Sequence, residues 1–327
     1  MKFKSNTVPV ILGPTASGKT KLAVALAKQI SGEVISADSR QVYRGMNIGT
    51  GKDYNEYFID GHKIDHHLID ILNAGEKYDV SRFKQDCLKA IHDIQNRNET
   101  PIICGGTGLY IEALLRDFTT FDVPPNEALR KELLEKTTEE LLEMLNRIYP
   151  NHTVDISTRK RVIRGIEVAS AKSEKLPIDS EQPLPIAIGT AKLFCLNPSV
   201  ELRRKKITQR LHQRIEDEGL IEEVDNLLRN GLTPEQLIYY GLEYKFITEY
   251  LQGNWTKDEL FERLNTAIHR FAKRQMTFFR SMEKRGLEVY WINGDLTTEE
   301  RLEIVKEELS PKLKPIHPIN YIFGEDE

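Results

Sequence analysis

Gly13-Pro14-Thr15-Ala16-Ser17-Gly18-Lys19-Thr20 follows the apolar run Val8 to Leu12 and leads into a helical pattern of Leu22, Ala23, Leu26, Ala27 and Ile30. Strand, glycine-rich loop and helix in that order are the setting that G-x-x-x-x-G-K-[ST] requires for phosphate binding. The glycines let backbone N–H groups converge on phosphate oxygens, and Lys19 can reach the terminal phosphates. The Thr20 hydroxyl can ligate a Mg²⁺ ion shared with them. The helix beginning here adds its positive end. The plainer alternative is a glycine-rich turn with an exposed lysine.

On either side of this loop the chain reads as further βα units. Glu33-Val34-Ile35-Ser36-Ala37 is a short strand that delivers Asp38-Ser39-Arg40-Gln41 at its carboxyl end, where open parallel sheets place their crevice. On position alone Asp38 is either a turn cap or a catalytic carboxylate. Pro101-Ile102-Ile103-Cys104 is another strand and ends in a second glycine-rich loop, Gly105-Gly106-Thr107-Gly108, with Thr107 its only polar side chain. Between them, Asp60-Gly61 marks a turn. His66 and His67 precede the apolar run Leu68-Ile69-Asp70-Ile71-Leu72, which reads as a strand containing Asp70. Adjacent histidines on a strand point to opposite faces, which favours packing or hydrogen bonding over a shared metal.

Composition limits the alternatives. The 327 residues, 39% hydrophobic and 29% charged, suit one large α/β domain with a smaller one. A formal net charge of -4 excludes a chain that is basic throughout, so any nucleic-acid contact must come from local stripes. The three cysteines, Cys87, Cys104 and Cys195, are far apart and form neither a disulfide framework nor a C-x-x-C site. A reducing, cytoplasmic setting is expected. No run approaches the ~18 apolar residues of a membrane span.

After Arg116 the character changes to charged helix formers, with prolines at 124, 125, 177, 183 and 185. In this stretch Arg161 and Arg164 stand one helical turn apart, and the run is either a solvated face or a phosphate-pairing one. Ser199 to Arg229 reads as one long helix with its cations early, Arg203 to Arg214, and its acids late. Aromatics surround Gly241, and His269 to Arg280 interleaves basic and aromatic residues, a pattern that suits phosphates and bases or simply a wet and a dry helix face. The expected fold is α/β: a P-loop parallel-sheet core over residues 1–118 and 186–295, a helical insertion over 119–185, and a charged C-terminal tail over 296–327 that has one helical stretch and carries no catalytic signal.

A phosphate loop alone reads as an ATP site for hydrolysis or phosphoryl transfer. A small-molecule P-loop kinase and a non-modifying RNA-binding NTPase are therefore the rival readings. The motifs in combination resemble those of the tRNA dimethylallyltransferases, also called tRNA isopentenyltransferases. The stretches that carry the resemblance are Gly13 to Thr20, Asp38-Ser39-x-Gln41-x-Tyr43, Gly45 to Thr50, His66-His67-Leu68, Gly105 to Tyr110, Arg161 to Val168 and Ala272 to Gln275.

The resemblance implies transfer of a dimethylallyl group from dimethylallyl diphosphate to N6 of the adenine beside the tRNA anticodon, with release of diphosphate. It implies that Gly13, Pro14, Thr15, Ala16, Ser17, Gly18, Lys19 and Thr20 hold the diphosphate, with Thr20 on Mg²⁺. It makes Asp38 the general base and places Thr107 near the reacting centre. Asp38, Ser39, Arg40 and Gln41 would lie beside the target base. Arg130, Lys160, Arg161, Val162, Ile163 and Arg164 would contact the anticodon stem-loop. A monomer with no membrane contact is expected. The chain departs from the common pattern at Ser157-Thr158, Gly165, Gly241 to Tyr244, Ile268-His269 and Phe278, mostly on the presumed RNA side.

Overall fold

A computed structural model describes residues 7–116, 123, 126–152, 154, 156–173 and 190–310. They form two compact units, Met1–Glu76 with Ala90–Gly108 and Ile188–Glu327, and Lys77–Lys89 with Leu109–Ala187.

The first unit is built on a six-stranded sheet in which every pairing is parallel. Its strands are β1 (Thr7–Leu12), β2 (Gly32–Ser36), β5 (His66–His67), β6 (Thr100–Gly105), β7 (Thr190–Asn197) and β8 (Val289–Asn293), in the order β5-β2-β6-β1-β7-β8. β1, β2 and β6 are almost entirely buried, as continuous Val/Ile runs covered on both faces should be. The chain leaves β1 for β2 on one side and returns to β7 on the other. In a sheet of this kind such a reversal opens a crevice at the carboxyl ends of the strands. Register brings Leu12 opposite Gly105 and Ser36 opposite Cys104, so the loops after β1, β6 and β2 emerge side by side.

α1 (Lys19–Ile30) packs its buried face, Leu22 to Ala27 and Ile30, against this sheet. β3 (Phe58–Ile59) and β4 (His62–Lys63) form a small hairpin turning at Asp60-Gly61, as the sequence suggests.

Three elements differ from the reading above. The run after His67 is not a strand: Leu68 and Asp70 have φ of 61° and 56°. Asp70 is turned instead onto the buried Lys52 ammonium and the Tyr54 hydroxyl. The long basic helix is two, α7 (Val200–Glu216) and α8 (Leu220–Arg229), broken at Gly219 where φ is 79°. The stretch from 296 is not merely a tail. Through Thr298–Leu309 it forms α12, whose Leu302 and Val305 join the core around α1. Between these lie α9 (Pro234–Tyr239), α10 (Leu242–Leu251) and α11 (Lys257–Lys284). Residues 311–327 lie outside the described part.

The second unit contains α4 (Glu127–Leu134), α5 (Thr138–Ile148) and α6 (Arg159–Ser173), closed around Leu133, Leu141, Leu145, Val162 and Ile166. Its boundary with the first passes through α2 (Val80–Asn96) and just inside α3 (Gly108–Leu115). The second unit thus draws in residues 77–89 as well, earlier in the chain than the insertion expected from the sequence. The expected edges at 118–119 and 185–186, and the flanking prolines, lie outside the described residues. Gly165 departs from the common pattern because a Cβ there would meet Val154 Cγ1 at 2.6 Å and Leu145 Cδ1 at 3.4 Å.

Candidate functional site

The phosphate loop occupies the end of β1 with two left-handed residues, Ala16 at φ 61° and Gly18 at φ 81°. Left-handed residues in such a loop let neighbouring N–H groups converge into a concavity suited to an anion, while the Thr15 and Ser17 amides are held within the protein by Gln275 and the Pro14 carbonyl. Ser17 Oγ is buried in the loop with no hydrogen-bond partner among the described residues. A buried hydroxyl without a partner is costly unless a ligand completes it. Gly13 is required locally, since a Cβ there would sit 2.5 Å from that same oxygen.

Asp38 follows β2. Its Oδ1 accepts from the Arg40 amide at 2.8 Å, so it caps its own turn while its carboxylate faces the cavity. The two sequence readings of Asp38 are compatible. Thr107 Oγ1 accepts from the Ser39 amide at 3.2 Å and so ties the loop after β6 to the one after β2. Gln41 also lines the cavity, its side chain held in place by accepting from Ser36 Oγ at 2.7 Å and donating to the Gly51 carbonyl at 2.8 Å.

These loops line one cavity of about 760 Å³ within the first unit. Gly105 cannot carry a side chain here because its Cβ would collide with the Ala37 carbonyl. The close approach of the two strand ends therefore depends on that glycine.

Several lining residues escaped the sequence reading. Gln275 on α11 accepts from the Thr15 amide at 2.9 Å and donates to the Gly106 carbonyl at 3.0 Å, joining both glycine-rich loops. It sits in a motif noted above, yet only tertiary contact gives it this task. Arg210 and Arg214 face the cavity from one side of α7, as their i, i+4 spacing allows. Arg210 donates to Thr15 Oγ1, and Arg214 holds Asp53 at 2.8 Å. Burial lowers the Arg210 guanidinium to about 10, leaving it charged near neutrality. Burial pushes the Asp53 carboxyl up, but Arg214, Arg210 and Lys19 outweigh it and hold it below its ordinary value. Arg301 on α12 donates to the Ser17 carbonyl at 3.2 Å and through Nε to the Leu296 carbonyl at 2.8 Å. Glu223 on α8 accepts from the amides of Asn47, Ile48 and Gly49 and fixes the loop that leads to Thr50 and Gly51 at the cavity wall.

The fit for Mg²⁺ rests on Thr20 and a phosphate ligand. No group of three His, Cys, Asp or Glu able to hold a metal occurs among the described residues. Mg²⁺ sites of the kind that use one or two protein ligands with phosphate oxygens and waters need none. Thr20 meanwhile lies beside Cys104, whose thiol burial pushes up to about 12. His66 packs on Tyr57 at 4.5 Å between ring centroids and His67 bonds Glu33 at 2.6 Å, which are packing and hydrogen-bonding roles.

The remaining expected residues lie in the second unit, apart from this cavity's lining. Val162 and Ile163 are buried in its core, so their side chains serve packing instead of an RNA surface. Arg130 and Arg164 both pair with Glu167, whose carboxylate is fully buried, and the Arg130 Nε contact is 2.8 Å. Lys160 and Arg161 are exposed on the first turn of α6, with Arg161 also reaching Ser157 Oγ at 2.7 Å.

Comparison with known proteins places this arrangement. The family profile described as IPP transferase matches residues 41–282. A protein of Bacteroides fragilis named tRNA dimethylallyltransferase 2 is 48% identical over 300 residues, spanning 91% of this chain and 96% of its own. One of Parabacteroides distasonis, named tRNA dimethylallyltransferase 1, is 48% identical over 302 residues, 92% of this chain and 96% of its own. Among solved structures, the tRNA isopentenylpyrophosphate transferase of Bacillus halodurans superposes with a TM-score of 0.66 at 32% identity, covering 93% of this chain and 97% of that one. A eukaryotic dimethylallyltransferase acting on tRNA gives 0.75 at 25% identity, covering 93% and 79%.

Proposed function

The chain belongs to the IPP transferase family, and we propose that it transfers a dimethylallyl group from dimethylallyl diphosphate to N6 of the adenine adjacent to the anticodon in tRNA, releasing diphosphate. The observation that carries this reading is the meeting of the phosphate loop and Asp38 in one cavity, cross-linked by Thr107 and Gln275. The family match sets aside the kinase and the non-modifying NTPase.

In this reading the donor's C1–O bond breaks as N6 attacks C1. The bonding electrons leave with diphosphate, and the N6 proton passes to Asp38. An exocyclic amine is a weak nucleophile, so stabilising the leaving group is the larger task. The amides at the start of α1, Lys19 and the desolvated Arg210 suit it. Mg²⁺ held by Thr20 would supply further neutralisation of the diphosphate oxygens. Thr107 fixes the turn from which Asp38 reaches the base, and a general base contributes typically ~10²–10⁴-fold.

Unmodified tRNA, Mg²⁺ and labelled dimethylallyl diphosphate should give labelled RNA. Asp38→Asn should lower the single-turnover rate by roughly 10²-fold or more while leaving tRNA affinity within twofold, and chelation of Mg²⁺ should abolish transfer. Label that appears only with ATP as donor would overturn the reading.

A further inference from the structure

Tyr239 closes α9 and lines the cavity, yet the residue is 55% exposed. Single exposed aromatics are ordinary; this one is held. Its ring meets Tyr240 edge-on, centroids 5.5 Å apart, and Tyr240 meets Tyr43 in the same way at 4.7 Å. Tyr240 and Tyr43 are buried at 3% and 0% exposure, and the Tyr240 hydroxyl accepts from the Gly75 amide. The row is therefore anchored in the core at one end and open to the cavity at the other. The Arg40 guanidinium lies 4.9 Å from the Tyr239 centroid, and the Arg40 amide is the one bonded to Asp38. A fixed aromatic ring with a guanidinium against it, two residues along the chain from the carboxylate, matches how proteins hold unpaired nucleobases.

We infer that Tyr239, backed by Arg40, is a stacking platform for the nucleobase next to the adenine that enters the cavity. This rests on the tRNA reading above. Bringing an adenine to Asp38 removes it from its stack and leaves the faces of its neighbours uncovered. A ring anchored beside Asp38 covers one of those faces, and because stacking is tolerant of base identity it would favour purines without demanding one. Arg40 adds attraction for the phosphate between the two nucleotides.

The test uses an anticodon stem-loop RNA with 2-aminopurine at either neighbour of the target adenine. Binding to the wild-type protein should quench one of the two probes. Tyr239→Ala should remove that quenching and raise the KM for RNA about tenfold, with the KM for dimethylallyl diphosphate within twofold. Tyr239→Phe and Tyr239→Trp should restore both. An abasic nucleotide at the same neighbour should weaken wild-type binding by a similar factor and add little in Tyr239→Ala. A wild-type KM for RNA in Tyr239→Ala, quenching that survives it, or abasic and alanine losses that multiply would overturn the platform. Quenching in a protein that transfers no label to RNA would leave the platform standing and overturn the reaction.

Discussion

Glu33 shows how much a single side chain decides outside the cavity. It lies on β2, buried, and receives two guanidinium bonds from Arg97 Nη2 at 2.8 Å and one contact from His67 at 2.6 Å. Burial pushes its carboxyl up, but the Arg97 and His67 hydrogen bonds prevail and hold it below the ordinary glutamate range. A carboxyl depressed by folding stabilises the native state above its unfolded value, about 4.3, and loses that stabilisation as pH falls through the folded value. Glu33→Gln should therefore cost about 1–3 kcal/mol at neutral pH, and the gap to the wild type should narrow as pH falls below about 4.3; urea melts at pH 7 and pH 3.5 would read it. Nothing local to Glu33-Val34-Ile35 announces this partner, 64 residues away. Asp38, by contrast, was legible because its place at a strand's carboxyl end follows from the apolar run before it.

Among the elements, α12 is a helix, as its sequence suggests, but its docking is not legible there. Its apolar spacing predicts a helix, and a capping box at Thr297 and Glu300 starts it. What the spacing does not disclose is that Leu302 and Val305 dock against α1 and carry Arg301 to the Ser17 carbonyl. Arg301 is 5% exposed, and Gly18 lies so near that a Cβ there would approach Nη1 to 3.3 Å. By holding the Ser17 carbonyl, Arg301 fixes the peptide that leads into Gly18 and the start of α1. Arg301→Met should weaken inorganic pyrophosphate binding in calorimetry by roughly tenfold, about 1.4 kcal/mol, with Arg301→Lys recovering part of it. Lys306→Ala, on the exposed side of the same helix, should bind as the wild type does. Equal losses in all three variants would mean that the helix matters only for folding.

For the molecule as a whole, a net charge of -4 leaves RNA affinity to a few placed cations. Of the run 160–164, Lys160 and Arg161 remain exposed, while Arg164 is paired with the buried Glu167. Lys160→Ala should reduce the slope of log K against log salt for tRNA by roughly 0.7–0.9, so that the loss of affinity is larger at low salt; a nitrocellulose filter titration over several salt concentrations checks it. The parallel βα framework, the glycine-rich loop after β1 and the placement of Asp38 and Thr107 at strand ends were all legible before folding. Each of these follows from short-range patterns: apolar runs, glycines where the backbone must turn, and a polar residue just beyond. That Gln275, Arg210, Tyr239 and Arg301 complete the cavity, and that Val162 and Ile163 do not face solvent, follows from the packing of distant elements. Their roles depend on which helix face meets which loop across separations of up to 284 residues. Periodicity marks such a face as wet or dry, and docking alone decides what it touches.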